Sequence, residues 1–255
     1  HSLFNISAAF IFLIFLGPFR RFVEFIVKTK EEEILLKPKY LESKLPDDKI
    51  KAFECIEKEI QYSLQTVSWF HSRVKAFLQE EAKENNENID KLEALSDLLD
   101  EVIEDALMEL SRRGLSQKEA KQIVILIRIS NLIEQLGDLA KDLYELPNKV
   151  VKRGSTKRAY IDELSQEFHS VLAVMQQTSF LELKDLSGMS QKLDTLNDKI
   201  TVSYSDHIEK LKGRTQFATG LFVEYIALIE SANEKLKDIL LLIRDYQSTN
   251  QREEK

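Results

Sequence analysis

Two acidic pairs in the first half of this chain return in the second half at a nearly constant spacing, and that recurrence constrains the fold more than any other feature. Glu93-x-x-x-Asp97 returns as Asp194-x-x-x-Asp198, 101 residues later. Glu134-x-x-x-Asp138 returns as Glu234-x-x-x-Asp238, 100 residues later. A shared offset of this kind points to an internal duplication, so what the first half builds the second half builds again. Residues four apart share a face on a helix, where they lie about 40° apart around the axis. Seven Gly and four Pro in 255 residues leave room for long, unbroken helices.

Apolar periodicity predicts six helices, three in each half. The first spans about 48–81 and carries Ile50, Phe53, Ile56, Ile60, Leu64, Val67, Val74 and Phe77. The second spans about 88–112, with Leu92, Leu95, Leu99, Val102, Ala106 and Leu110, and Gly114 is its stop. Ser116 with Glu119 forms a capping box for the third, which Pro147 ends. The remaining three cover about 157–180, 186–212 and 215–247. The β-branched run Ile200-Thr201-Val202 works against helix in the fifth. The fold class is therefore all-α: two tandem antiparallel three-helix bundles, 48–147 and 157–247, preceded by one transmembrane helix.

That transmembrane expectation rests on residues 1–28. Leu3 to Phe19 carries no charge, and roughly 20 such residues cross a bilayer. Gly17-Pro18 ends the run. Arg20, Arg21, Lys28 and Lys30 follow it and no basic Lys or Arg precedes it, so the chain after about residue 28 belongs in the cytoplasm. Phe22, Val23, Phe25 and Ile26 among charges read as an interfacial helix, and 29–47 as a linker. A secretory signal would need a basic start and a small-residue cleavage site, and neither is evident. A buried core helix is the other reading of a run this long.

Several function classes lose ground at once. A net charge of −7 does not favour nucleic acid. The single cysteine, Cys55, excludes an internal disulfide. His1, His71, His169 and His207 show no metal-ligand spacing, and no phosphate-cradling loop or Gly-x-Ser-x-Gly is present. A hydrolase would need a placed nucleophile or base, so no enzymatic activity is expected.

The carboxylates remain. A solvated face is the ordinary reading of one acidic pair. Yet like charges at i, i+4 repel by a few tenths of a kcal/mol, and their repetition at matching places asks for a cation. On the third helix the apolar stripe Ile125, Ile129, Leu132, Leu136, Leu139, Leu143 puts Glu134 and Asp138 on the opposite face, with Asn131 within about 60° of both. Hard oxygen ligands suit Mg, Ca, Mn or iron.

The string Arg128-Ile-Ser-Asn131-Leu-Ile-Glu134-Gln-Leu-Gly137-Asp138-Leu-Ala140 resembles the signature helix of PhoU proteins, and Glu93-x-x-x-Asp97 is similar to the acidic motif on that family's preceding helix. The resemblance covers about Asp48 to Gln247. It implies two three-helix repeats, regulation of phosphate uptake, and a multinuclear divalent or ferric cluster of iron, zinc, Mn or Mg. The implied ligands are Glu93, Asp97, Glu134, Asp138, Asp194, Asp198, Glu234 and Asp238, supported by Arg128, Asn131 and Gly137. In the second half Lys237 replaces the motif's glycine and Leu228 its arginine. Leu3-Phe4-Asn5, the apolar run and Gly17-Pro18-Phe19 resemble the last membrane segment of bacterial type II sodium/phosphate cotransporters, many of which carry a PhoU-like C-terminal domain. The expected partners are then the cell (inner) membrane, the remainder of a transporter upstream of His1, and a second copy in a homo-oligomer. The alternative is a membrane-anchored PhoU-type accessory protein acting on a phosphate ABC transporter or a sensor kinase.

Overall fold

The computed structural model describes residues 36–41, 44–78, 86–146, 158–210 and 216–251. The membrane-segment reading of residues 1–28 lies outside them. No helix among the described residues is long and apolar enough to cross a membrane. Within them the protein is all-helical: α1 (Lys49–Leu78), α2 (Asn86–Ser111), α3 (Gln117–Glu145), α4 (Arg158–Gln177), α5 (Leu186–Lys210) and α6 (Gln216–Gln251).

The helix ends follow local chemistry. Asp48 opens α1, its Oδ1 accepting from the Lys51 N–H at 3.1 Å. After α2, Gly114 takes φ 68°, a left-handed turn that glycine enters without steric cost. Ser116 and Glu119 then close the expected capping box on α3, with bonds of 3.2 and 2.7 Å. Lys49 of α1 reaches the same Glu119 at 3.0 Å, which ties the start of α1 to the α2–α3 turn. Asp185 opens α5 by accepting from Gly188 N–H at 3.0 Å. The β-branched run at 200–202 stays helical because Ile200 is buried, and packing outweighs a weak propensity.

Helix α1 packs on α2 and α3, and those two pack on each other. In the second half α5 packs on both α4 and α6. The halves then share one core, because α3 lies along α6 and α1 along α4. Phe70, Phe168, Phe180 and Tyr246 are its largest fully buried side chains. Ile56, Ile60, Leu64 and Val67 of the α1 stripe are buried as the spacing predicts, whereas Ile50 is 73% exposed. Trp69 stays at the surface beside buried Phe70.

Residues 36–41 and 44–47, part of the expected linker, are held against the first half of the bundle. The fully buried Glu59 carboxylate accepts from the N–H groups of Lys39 (2.9 Å), Tyr40 and Leu41 (2.8 Å). Leu41 and Leu45 are buried, and Arg113 donates to the carbonyl oxygens of Leu45 and Pro46.

Candidate carboxylate site

Helices α2 and α3 run antiparallel, and a small residue sets how closely they approach. A Cβ placed on Gly137 would stand 2.9 Å from the Ser96 Oγ, so only glycine fits there without a shift. Gly137 lies one residue before Asp138 and three after Glu134. Close approach at Gly137 therefore draws the acidic faces of both helices to one seam.

Burial on α3 differs from the expected stripe. Ile133, Gly137 and Ala140 are buried, while Leu132 and Leu139 are only half-buried. The physical reason is that α3 packs against α1, α2 and α6 at once, which widens its buried arc. Glu134 consequently flanks the α2–α3 seam, half-buried, and does not lie on a face opposite the core.

The seam brings together both acidic pairs of the first half. Burial, then the Asp138 charge and a hydrogen bond shared with Asp138, and then Asp100 and Asp97 push the Glu134 carboxyl up to about 7. Asp97 is also raised, by burial and by Glu93 and Asp138, with Lys141 opposing. Asp100 is raised by burial and by Glu104, Asp97 and Asp138, while a 3.5 Å hydrogen bond from Ser130 opposes. Glu93 pairs across the seam with Lys141. The seam holds more carboxyl groups than the lysine that reaches Glu93 neutralises, and this crowding makes ionisation of Glu134 harder.

Asp100 and Lys141 escaped the sequence reading. Asp100 follows Asp97 by three residues, so helical spacing would have placed it on the same face. Lys141 follows Asp138 by three, but which acid it meets depends on how α2 docks. Arg128 and Asn131 are exposed, and among the described residues no hydrogen bond or ion pair ties them to the carboxylates.

The second half has a different centre. Lys237 pairs with Asp194 across α5 and α6. Asn233, fully buried, donates through Nδ2 to the Leu193 carbonyl at 2.9 Å and to Asn197 Oδ1 at 2.6 Å. Asp198, Glu234 and Asp238 are exposed. As the side chains stand, no three His, Cys, Asp or Glu among the described residues converge closely enough to hold a metal ion. The chemistry of the donor set still fits a hard cation in the first half, where Asp97, Asp100, Glu134 and Asp138 crowd one seam. It fits less well in the second half, where an ammonium already takes Asp194.

Compared with known proteins, the chain matches no family model, no curated protein and no solved structure.

Proposed function

We propose that this chain is a cytoplasmic PhoU-like regulatory domain, with its terminal membrane span, of a sodium-dependent phosphate cotransporter, and that it controls phosphate uptake. In this reading the helices form two three-helix repeats, α1–α3 and α4–α6. The observation that carries it is the crowded seam of α2 and α3, where Glu134 stands among Asp97, Asp100 and Asp138 and its carboxyl is harder to ionise. Asp97, Asp100, Glu134 and Asp138 would hold a divalent or ferric cation, with Glu93 oriented by Lys141. Such a cation supplies positive charge that cross-links α2 to α3. The protein's own part is to pre-position these oxygens through the Gly137–Ser96 approach, so that occupancy alters how firmly the two helices hold together.

The test uses the full chain. Elemental analysis of the purified protein should find a hard or borderline cation, and its loss in a Glu134→Ala, Asp138→Ala double variant is expected. The same double variant, placed in the complete transporter in cells, should change phosphate uptake without lowering protein abundance. Cation-free wild-type protein, together with unchanged uptake in the variant, would overturn the reading.

A further inference from the structure

We propose that one face of α1 rests on an anionic phospholipid surface, with Trp69 at the level of the headgroups. This face takes its nearness to a bilayer from the membrane span proposed above, and rests on that reading for nearness alone.

The spacing of α1 builds the face. Lys51, Lys58, Tyr62, Trp69 and Arg73 recur at intervals of seven and four, which puts them within about 60° of one another around the axis. Lys51, Lys58 and Trp69 are exposed, and Tyr62 and Arg73 are half-buried. No acid of α1 falls in that arc. Glu54 and Glu59 lie about 40° outside it, one on each side. Glu54 meets Lys58 at 4.0 Å, with both side chains well exposed. Glu59 is buried and already bound by the N–H groups of Lys39, Tyr40 and Leu41.

Residues 36–41 widen the face. The Lys39 ammonium stands 5.6 Å from the centre of the Tyr40 ring and 5.4 Å from that of Tyr62, so two tyrosines flank one cation. Leu36, Lys37 and Tyr40 of the same segment are exposed.

Three observations select lipid as the occupant. Tryptophan and tyrosine with lysine and arginine make the mixture that settles in a headgroup layer, where rings meet the acyl boundary and cations meet phosphates. The chain carries a net charge of −7, so it can approach an anionic surface only by turning a basic face toward it. The uncharged run Leu3 to Phe19 ends 17 residues before Leu36, so residue 36 lies within about 60 Å of any bilayer that holds that run.

Trp69 is the chain's single tryptophan, so its fluorescence reports this face alone. The full chain is reconstituted in phosphatidylcholine vesicles with and without phosphatidylglycerol. With phosphatidylglycerol, Trp69 emission should move to shorter wavelength and be quenched by lipid brominated close to the headgroup. Raising the salt concentration should reverse both effects. Lys51→Gln with Lys58→Gln should lower the ratio of docked to free face on the order of tenfold. Resistance to alkaline carbonate extraction reads the membrane span separately. A chain that resists extraction while Trp69 stays unquenched overturns the docking and leaves the span standing. A chain that is extracted although Trp69 was quenched overturns the span and leaves the docking standing. Equal emission with and without phosphatidylglycerol also overturns the proposal. So does a shift that follows protein concentration instead of lipid, which would put a second copy of the chain on this face.

Discussion

The Lys237 ammonium pairs with the Asp194 carboxylate across α5 and α6, at the position where the first half has Gly137. One substitution changes both what the helices can do and what they need. Glycine lets α2 and α3 close and leaves their acids crowded together. Lysine brings a cation of its own and neutralises part of the second acidic set. Lys237→Ala should cost under about 1 kcal/mol, because Asp194 is well exposed and Lys237 partly so. It should also make the second half responsive to divalent cations. Calorimetry with and without added manganese checks this, and a Tm gain on manganese no larger than wild type's would count against it.

Gly137→Ala should destabilise the protein by about 1–3 kcal/mol, since the new methyl meets Ser96 Oγ at 2.9 Å. Adding Ser96→Gly should restore much of the loss, because the obstacle is one side chain and not backbone. Urea unfolding of the two single variants and the double variant measures the coupling.

Two groups of titrating residues oppose each other in the acid range. The Glu134 pKa rises on folding from 4.5 to about 7, so the folded state binds the extra proton. Its contribution is full below 4.5 and is lost as pH rises through 7. His71 falls on folding from 6.5 to about 4, mainly by burial. Its contribution is present above 6.5 and is lost as pH falls through 4. Glu134→Gln should therefore match wild type near pH 4 and exceed its Tm at pH 8, while both unfold in acid alike. A constant Tm difference across that range would show that the carboxyl does not titrate as described.

Much of the fold was legible in sequence, and what was not has a common cause. Helix positions, the Gly114 stop and the Ser116–Glu119 box depend on residues close in the chain, which periodicity and capping patterns report. The sixth helix runs four residues past the expected Gln247, to Gln251, where no helix-breaking residue marks an end. The α3–α6 interface, the widened buried arc of α3 and the partners of Lys141 and Lys237 depend on docking between distant segments. The eight acids stand out in sequence by their spacing, yet only docking distinguishes the crowded first-half seam from the second half, where Lys237 pairs with Asp194. The region 29–47 reads as a linker because its prolines break helix, and nothing local announces that Glu59, twenty residues beyond Lys39, receives that residue's N–H.

That clamp yields the last prediction. Three consecutive backbone N–H groups converge on one buried carboxylate, an arrangement in which the charged acceptor makes stronger hydrogen bonds than an amide would. Glu59→Gln keeps the volume but removes the charge, and it replaces one acceptor oxygen with a donor that faces other donors. It should cost about 1–3 kcal/mol. The effect should be local first: amide exchange at Lys39, Tyr40 and Leu41 should accelerate toward that of free chain, while exchange within α1 and α3 stays slow. If those three amides remain protected in Glu59→Gln, the buried Leu41 and Leu45 side chains hold the segment and the carboxylate does not. A Leu41→Ala variant separates the two contributions, since it removes apolar burial and leaves the carboxylate clamp in place.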